Sequence, residues 1–375
     1  MPKEIQLTTA RSEEEVGKKG GFTVGSISAG EMTEYYVSVK VSDVSPGEAL
    51  KAAATYLQKK GAKPLMALSF GATESTAGLL NASGFEDLPV SILEHDNGNI
   101  YPLSGIQLFA VSGVSVKEIM FGDRIAGYSW GNADAKHLLL GGISPEDSGA
   151  SPEEQVKNTY NLILKALESS GFSYPEVART WFYLDRLLSW YGKFNAARTG
   201  FFNENGIFQS LVPASTGIGA SNIFGRVLSQ SIYAFKPKQA GSGIVKVGSP
   251  LQCEALNYRS AFSRAVELTY GGIKKLMVSG TASIDPDGKS AHIGDPVKQI
   301  ELTMRVVREI LLSRKMDWGN TVRAIAYFKA SEHMPLFREY CKKSGLPELN
   351  CINAITTVCR EELLFEIELD AAALK

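Results

Sequence analysis

The sequence predicts an α+β fold, repeated along the chain, in which helices pack on one face of a mixed sheet. Three observations lead there. Two segments share one order of strand, turn, long helix, strand, helix and strand, an internal repeat of about 120 residues. Helical and strand patterns interleave, and some strands join as hairpins. The closing stretch sets Leu364, Glu366 and Glu368 alternately against Phe365, Ile367 and Leu369, a period of two that holds carboxylates on one face and apolar side chains on the other.

Residues 1–125 follow this order loosely. They offer strands Tyr35–Val41, Leu65–Phe70 and Gly105–Val111, a helix Pro46–Lys60 and a helical stretch Thr76–Ala82. They are either a third, degenerate module or an N-terminal elaboration of the next. In the module at 126–236, strand Leu138–Gly141 precedes Ser151-Pro152-Glu153-Glu154, which starts a helix with serine as cap and proline at the first position. That helix runs to Glu168 and is followed by strand Ala178–Tyr183, helix Trp190–Phe202 and strand Leu228–Phe235. Residues 237–255 read as a linker, clearest at Pro237-Lys238-Gln239-Ala240-Gly241-Ser242-Gly243.

The module at 256–375 has strand Lys275–Ser279, a turn at Asp285-Pro286-Asp287-Gly288, and a helix Pro296–Ser313 with Val297, Ile300, Met304, Val307, Ile310 and Leu311 at helical spacing. Strand Val322–Lys329, helix Met334–Lys343 and strand Ile355–Ile367 complete it. The sheet face that carries no helix then needs cover. Neighbouring modules are the economical source, within one chain or between chains.

Composition narrows the function. The chain has 375 residues, 44% of them apolar and 21% charged, enough to bury sizeable cores. A net charge of -1 argues against a generic nucleic-acid surface. No apolar run reaches the length of a membrane span, and Met1-Pro2-Lys3-Glu4 leads into polar sequence. Cys253, Cys341, Cys351 and Cys359 form no CxxC pair and read as reduced thiols, so a cytoplasmic location is expected. His95, His137, His292 and His333 lack metal-ligand spacing, and no metal is expected. Gly217-Ile218-Gly219 and Tyr270-Gly271-Gly272 are not phosphate loops, because no Gly-Lys-Ser/Thr follows. The run Trp181, Phe182, Tyr183, Trp190 and Tyr191, interleaved with Leu184, Leu187 and Leu188, reads as packing rather than base stacking.

The stretch Val278-Ser279-Gly280-Thr281-Ala282, followed by Gly294-Asp295, Gln299 and Thr303 and later by Phe365-Glu366-Ile367-Glu368, resembles the Rid (YjgF-type) superfamily. Within it the nearer likeness is to the chorismatases, the chorismate hydrolases and lyases. That likeness is carried by Arg179-Thr180-Trp181-Phe182-Tyr183-Leu184, by Tyr191-Gly192-Lys193-Phe194-Asn195-Ala196-Ala197-Arg198, by Pro213-Ala214-Ser215-Thr216-Gly217-Ile218-Gly219, and by Val358-Cys359-Arg360-Glu361-Glu362-Leu363-Leu364-Phe365-Glu366. The resemblance implies chorismate-mutase-like α+β modules with sites in the clefts between them. It implies assembly as a trimer, or as an intramolecular pseudo-trimer within one monomeric chain. The deaminase branch of the superfamily carries an arginine where this chain has its residues near Cys351, which speaks against imine deamination. The stretch Asn257-Tyr258-Arg259-Ser260-Ala261-Phe262-Ser263-Arg264-Ala265 is shorter than its chorismatase counterpart.

Cleaving the enolpyruvyl ether of chorismate, a dianion, requires an acid that protonates the terminal methylene carbon, after which water captures the oxocarbenium and pyruvate leaves. A carboxyl flanked by apolar residues has its pKa raised toward the working range, which suits Glu366; Glu368 points to the same face and is its rival. The resemblance places the catalytic glutamate at Glu366 and a pocket-lining cysteine at Cys359. Two substrate carboxylates call for guanidinium forks, for which Arg179, Arg198 and Arg264 are the candidates, with Tyr258 as a ring or hydroxyl contact. Ser279, Gly280 and Ala282 are expected in the cleft wall, offering a hydroxyl and backbone amides. The expected ligand is a small carboxylate, with no metal or organic cofactor, no nucleic acid and no membrane. The alternatives are a Rid-type enamine/imine deaminase and a non-catalytic Rid-fold protein that binds a metabolite.

Overall fold

A computed structural model describes residues 20–40, 44–71, 76–95, 103–258 and 260–375. Val41 and Arg259, included in the readings above, lie outside the described residues. The chain first forms β1 (Phe22–Ala29), β2 (Met32–Lys40), α1 (Pro46–Lys59), β3 (Lys63–Phe70), α2 (Thr76–Asn81), β4 (Val90–His95) and β5 (Gly105–Ser112). Next come β6 (Val116–Phe121), β7 (Arg124–Gly131), β8 (Ala135–Ile143), α3 (Pro152–Ser169), β9 (Val177–Leu184), α4 (Leu187–Glu204), β10 (Ala214–Asn222) and β11 (Leu228–Pro237). The last run is β12 (Gly243–Val247), β13 (Ala265–Tyr270), β14 (Ile273–Ala282), α5 (Pro296–Ser313), β15 (Thr321–Phe328), α6 (Met334–Lys343), β16 (Cys351–Ile355) and β17 (Phe365–Leu374).

The same spatial order occurs three times: β6-β7-β8-β11-β9-β10, β12-β13-β14-β17-β15-β16, and, one strand shorter, β1-β2-β5-β3-β4. In each the strands flanking the second helix, β3/β4, β9/β10 and β15/β16, pair in parallel, as a helical crossover requires. Antiparallel pairing of β4 with β10 joins the first two orders into one eleven-stranded sheet.

Local signals explain the long helices. Ser45 and Glu48 form a capping box at α1, as Ser151 and Glu154 do at α3, each with proline in the first turn. Asp295 caps α5 by accepting from the Lys298 amide at 3.0 Å. The apolar stripe read in α5 packs Ile300, Met304, Val307, Ile310 and Leu311 against Phe365, Ile367 and Leu369 of β17.

Three differences from the sequence reading stand out. The stretch Ile355–Ile367 is not one strand: β16 ends at Ile355, a loop turns through a Leu363 N–H to Arg360 C=O bond of 3.1 Å, and β17 begins at Phe365. The two pieces pair with opposite edges of β15, one parallel and one antiparallel, which a single extended segment cannot do. Gly243–Val247, inside the expected linker, is the edge strand of the six-stranded sheet, and β6 lies before the expected start of the middle module at 126. The glycines of Gly217-Ile218-Gly219 lie within strand β10.

Helices cover one face of each strand set, giving three separate apolar clusters. The other faces converge on a single cluster that takes Tyr36 and Phe70 from the first set, Trp130 and Trp181 from the second, and Tyr270 and Tyr327 from the third. Close approach there demands a missing side chain at Gly25, where a Cβ would sit 1.9 Å from the Val322 carbonyl oxygen. Within this apolar centre, the third residues of the equivalent strands β2, β8 and β14 are Glu34, His137 and Lys275, all buried. Lys275 Nζ lies 2.8 Å from Glu34 Oε2, Tyr270 donates to Glu34 Oε1 at 3.0 Å, and Tyr36 also donates to Glu34. His137 Nδ1 is 2.6 Å from the Tyr233 hydroxyl and 3.9 Å from Glu34 Oε1.

Burial alone would raise the Glu34 pKa, but Lys275 and His137 outweigh it and hold the carboxyl down at about 2. Burial dominates at His137 and lowers it to about 4, against the pull of Glu34. Both groups bind fewer protons folded than unfolded, so the stability they contribute is present at neutral pH and is lost on acidification. Denaturant titrations are expected to show stability falling as pH drops from the imidazole's ordinary 6.5 through about 4, with His137→Gln removing that limb. Lys275→Met, which strands a buried carboxylate, is expected to cost about 3–5 kcal/mol, and Glu34→Gln in the same chain to recover most of it.

Candidate active site

Parity along β17 decides where its carboxylates go. Phe365, Ile367 and Leu369 belong to the helix-covered cluster, while Ala372 belongs to the central one. Glu366, Glu368 and Asp370 therefore face inward, between strand sets, and all three are buried. Neither carboxylate of the pair 366/368 is a solvated surface residue.

The register of β14 with β17 slips between Val278 and Thr281, so Ser279 and Gly280 bulge out of the ladder. Gly280 is the residue against which Glu366 rests: a Cβ there would lie 2.0 Å from Glu366 Oε1. The bulge is also the seam to the middle strand set. Ser279 Oγ accepts from the Ser215 amide at 2.8 Å and donates to the Ser263 carbonyl at 2.5 Å, and the Gly280 amide donates to Thr216 Oγ1 at 3.0 Å. The expected offer of hydroxyl and amide to a ligand is thus corrected, because both groups already hold β10 to β14. Ala282, opposite Glu366 in the register, packs with Ile284, Val358 and Leu363, and Cys359 lies against that small cluster.

Arg179 and Glu368 meet across the same seam. Arg179, the third residue of β9, donates from Nη2 to Thr216 Oγ1 at 2.5 Å and to Glu368 Oε2 at 2.8 Å. Its guanidinium stacks 5.0 Å from the Trp181 ring centroid, and its buried Nε and Nη1 have no hydrogen-bond partner among the described residues. Glu368 Oε1 also accepts from Trp181 Nε1 at 2.9 Å and from Arg323 Nη2 at 2.7 Å.

The two glutamates are pushed apart. Burial would raise Glu368, but Arg179 and Arg323 hold it below the usual carboxylate range. Glu366 makes no side-chain hydrogen bond among the described residues; burial, reinforced by the charge on Glu368 and only partly offset by Arg179, raises it to about 8. At neutral pH the site thus holds one carboxylic acid and one carboxylate on the same strand face, an arrangement that separates acid from counter-ion.

The other expected residues surround this pair unequally. Burial, with Glu366 next in effect, pushes the half-buried Cys359 thiol up to about 12, so it is present as the neutral thiol. Tyr258 has the guanidinium carbons of both Arg264 and Arg360 5.3 Å from its ring centroid. Arg264 directs Nε and Nη2 to the Cys253 carbonyl oxygen at 3.0 and 2.6 Å, which fixes its fork on backbone. Arg198 differs more from expectation. It packs over Phe182 and Phe194 in the helix-covered layer and donates from Nη2 to Asn195 at 2.6 Å, with Nε left without a partner.

The sequence reading missed Tyr191 as a site residue. Its hydroxyl is buried within electrostatic range of Cys359, Arg198 and Glu366, and burial followed by Cys359 raises its pKa. Its aromatic run, interleaved with leucines, carries the pattern of packing rather than of a site. Arg323 was missed although the repeat marked it: it is the third residue of β15, as Arg179 is of β9. Arg360, next to Cys359 in sequence, donates from Nη1 to Ser290 Oγ at 3.2 Å, and only its place beside that cysteine could have marked it.

Residues 126–228 match a family model described as chorismatase FkbO/Hyg5-like, N-terminal. A 3-hydroxybenzoate synthase of Streptomyces hygroscopicus is 27% identical over 244 residues, 57% of this chain and 68% of that protein. A chorismatase of the same organism is 26% identical over 265 residues, 64% of this chain and 73% of the relative. A chorismatase crystal structure superposes with a TM-score of 0.60 at 18% identity, covering 82% of this chain and 92% of that one. The chain therefore resembles the chorismatases in sequence over more than half its length and shares their fold over most of it.

Proposed function

We propose that this protein cleaves the enolpyruvyl ether of chorismate or a close analogue and releases pyruvate. The observation that carries the reading is Glu366: a buried carboxyl, protonated at neutral pH, set against the Gly280 bulge beside an ionised Arg179–Glu368 pair. The relatives named as chorismatases support the substrate class.

In the proposed reaction Glu366 gives its proton to the terminal methylene carbon, converting the enol ether to an oxocarbenium ion. Water adds to the ether-bearing carbon, which now carries the positive charge, and returns a proton to Glu366. The resulting hemiketal collapses to pyruvate and the free ring hydroxyl, so one water is consumed for each pyruvate released. Arg179, with two donors unengaged, and Arg360 beside the Tyr258 ring are the groups suited to the substrate's carboxylates. Cys359 and Tyr191 line the ring side, and no metal or organic cofactor enters the scheme.

The three matching strand orders around one centre support the reading that the first set is a third module and that one chain forms the whole assembly. Light scattering is expected to give the mass of one chain; a mass near three chains would overturn this. Incubation with chorismate is expected to release pyruvate, and Glu366→Gln to lower kcat by about 10²–10⁴-fold with the fold retained. Undiminished release by that variant sinks the assignment, and ammonia release from a 2-imino acid would point to deamination instead. Because the acid form of Glu366 is required, kcat is expected to be level below about pH 8 and to fall above it. Gly280→Ala, whose methyl would occupy the carboxyl's place, is expected to lose activity while circular dichroism stays unchanged.

A further inference from the structure

The second carboxylate of the pair contacts no open space. Glu368 is fully buried, and its oxygens take three donors: Arg179 from β9, Arg323 from β15 and the Trp181 indole. Arg323 in turn divides its guanidinium among three partners. Nη2 goes to Glu368 at 2.7 Å, Nε to Asp370 Oδ2 at 3.0 Å, and Nη1 to Gln107 Oε1 at 2.8 Å. Gln107 lies on β5, in the first strand set, where its Nε2 also bonds Ser38 Oγ at 3.2 Å and the Ala324 carbonyl at 3.4 Å. A continuous chain of bonds thus runs from residues of β2 and β5 to the carboxylate next to Glu366.

The charges in this cluster balance only in one state. Arg179 and Arg323 contribute two positive charges, and Glu368 and Asp370 two negative, so the cluster is neutral when Glu366 carries its proton. Ionising Glu366 leaves this buried cluster with a net negative charge, the costly outcome in a buried setting. The groups that face Glu366 are Glu368 on its own strand, Arg179 on β9, Cys359 in the preceding loop and Tyr191 on α4. The nearest residues of β14, Gly280 and Ala282, bring no titratable group. Of these neighbours Glu368 alone is anionic at neutral pH.

We propose that Glu368 is a positioning residue that keeps Glu366 in its acid form, by neutralising Arg179 and opposing a second negative charge, and that Gln107 secures this arrangement from the first strand set through Arg323. The inference rests on the reading of Glu366 as the proton donor. It assigns the rivalry between the two glutamates: one transfers the proton, and the other never touches substrate. It also gives the first strand set a part in the chemistry, exerted through Arg323 rather than on Glu366 directly.

The test reads the protonation of Glu366 directly, apart from turnover. The carboxylic-acid carbonyl band of Glu366 is isolated by difference infrared spectroscopy against Glu366→Gln and followed with pH. Glu368→Gln leaves Arg179 and Arg323 facing a single anion and is expected to move the titration down by at least about one pH unit. In the pyruvate assay the same variant is expected to lose rate at neutral pH and to regain it on acidification, which a merely structural defect would not do. Gln107→Glu, close in shape and remote from the acid, adds a negative charge and is expected to move the titration up by a smaller amount. An unmoved or raised titration in a folded Glu368→Gln overturns the proposal. If that variant does not fold, an unmoved titration in Gln107→Glu overturns it. Shifts as expected without pyruvate release by the wild type would uphold the electrostatic role and reject the enol-ether reading, so the two failures are distinct.

Discussion

The buried ion pair between Glu34 and Lys275 sits where the uncovered faces of three strand sets meet, and the rest of the molecule is organised around that meeting. Helices shield one side of every set, so each has a second apolar side that must be covered by the others. A purely apolar junction would tolerate many relative rotations. A lysine paired there with a glutamate, which also accepts from Tyr36 and Tyr270, disfavours any rotation that would strand a charge. The seams between sets inherit that register, including the one that brings Ser215 and Thr216 of β10 onto Ser279 and Gly280 of β14.

At that seam two glutamates, separated by one residue, acquire opposite characters from their surroundings. Glu368 has three donors and is ionised; Glu366 has a glycine beside it and an anion next to it, and keeps its proton. Sequence position alone cannot distinguish them, since both occupy the same strand face. The distinction comes from Arg179, delivered by a different sheet, and from Arg323 on the neighbouring strand. A bulge of two residues in β14 then sets how closely the protonated carboxyl lies to the ladder.

Much of this was legible in the residues. The helix readings fell on α1 to α6; in α1, α3 and α5 caps and apolar stripes are local signals, and the two clearest strand–helix repeats followed from the helices. Parity along Phe365–Leu369 placed both glutamates on one face and away from the helices. The strands β1, β4, β6, β7, β10, β12 and β13 were not read, since edge and hairpin strands of mixed burial resemble loops and β10 is rich in glycine and serine. The break between β16 and β17 was missed because Thr356–Leu364 holds no glycine, proline, asparagine or aspartate to mark a turn, and the requirement to flank β15 on both sides appears only in three dimensions. Arginine roles were the least legible: Arg179, Arg198 and Arg264 look alike in sequence, yet one meets a carboxylate, one an aromatic layer and one a backbone carbonyl.

Glu34, His137 and Lys275 occupy corresponding places in three corresponding strands, yet they are an acid, an imidazole and a base. Three separate copies of one polypeptide could never present such a set, because symmetry would place three identical side chains at the junction, and three glutamates or three lysines there would repel. Carrying all three units on one polypeptide breaks that constraint. Each position then mutates once instead of three times over, and a change at one seam leaves the other two as they were. Three non-identical strand sets can thus place an acid, an imidazole and a base at one junction, and gather Arg179, Glu366 and Glu368 at one seam alone.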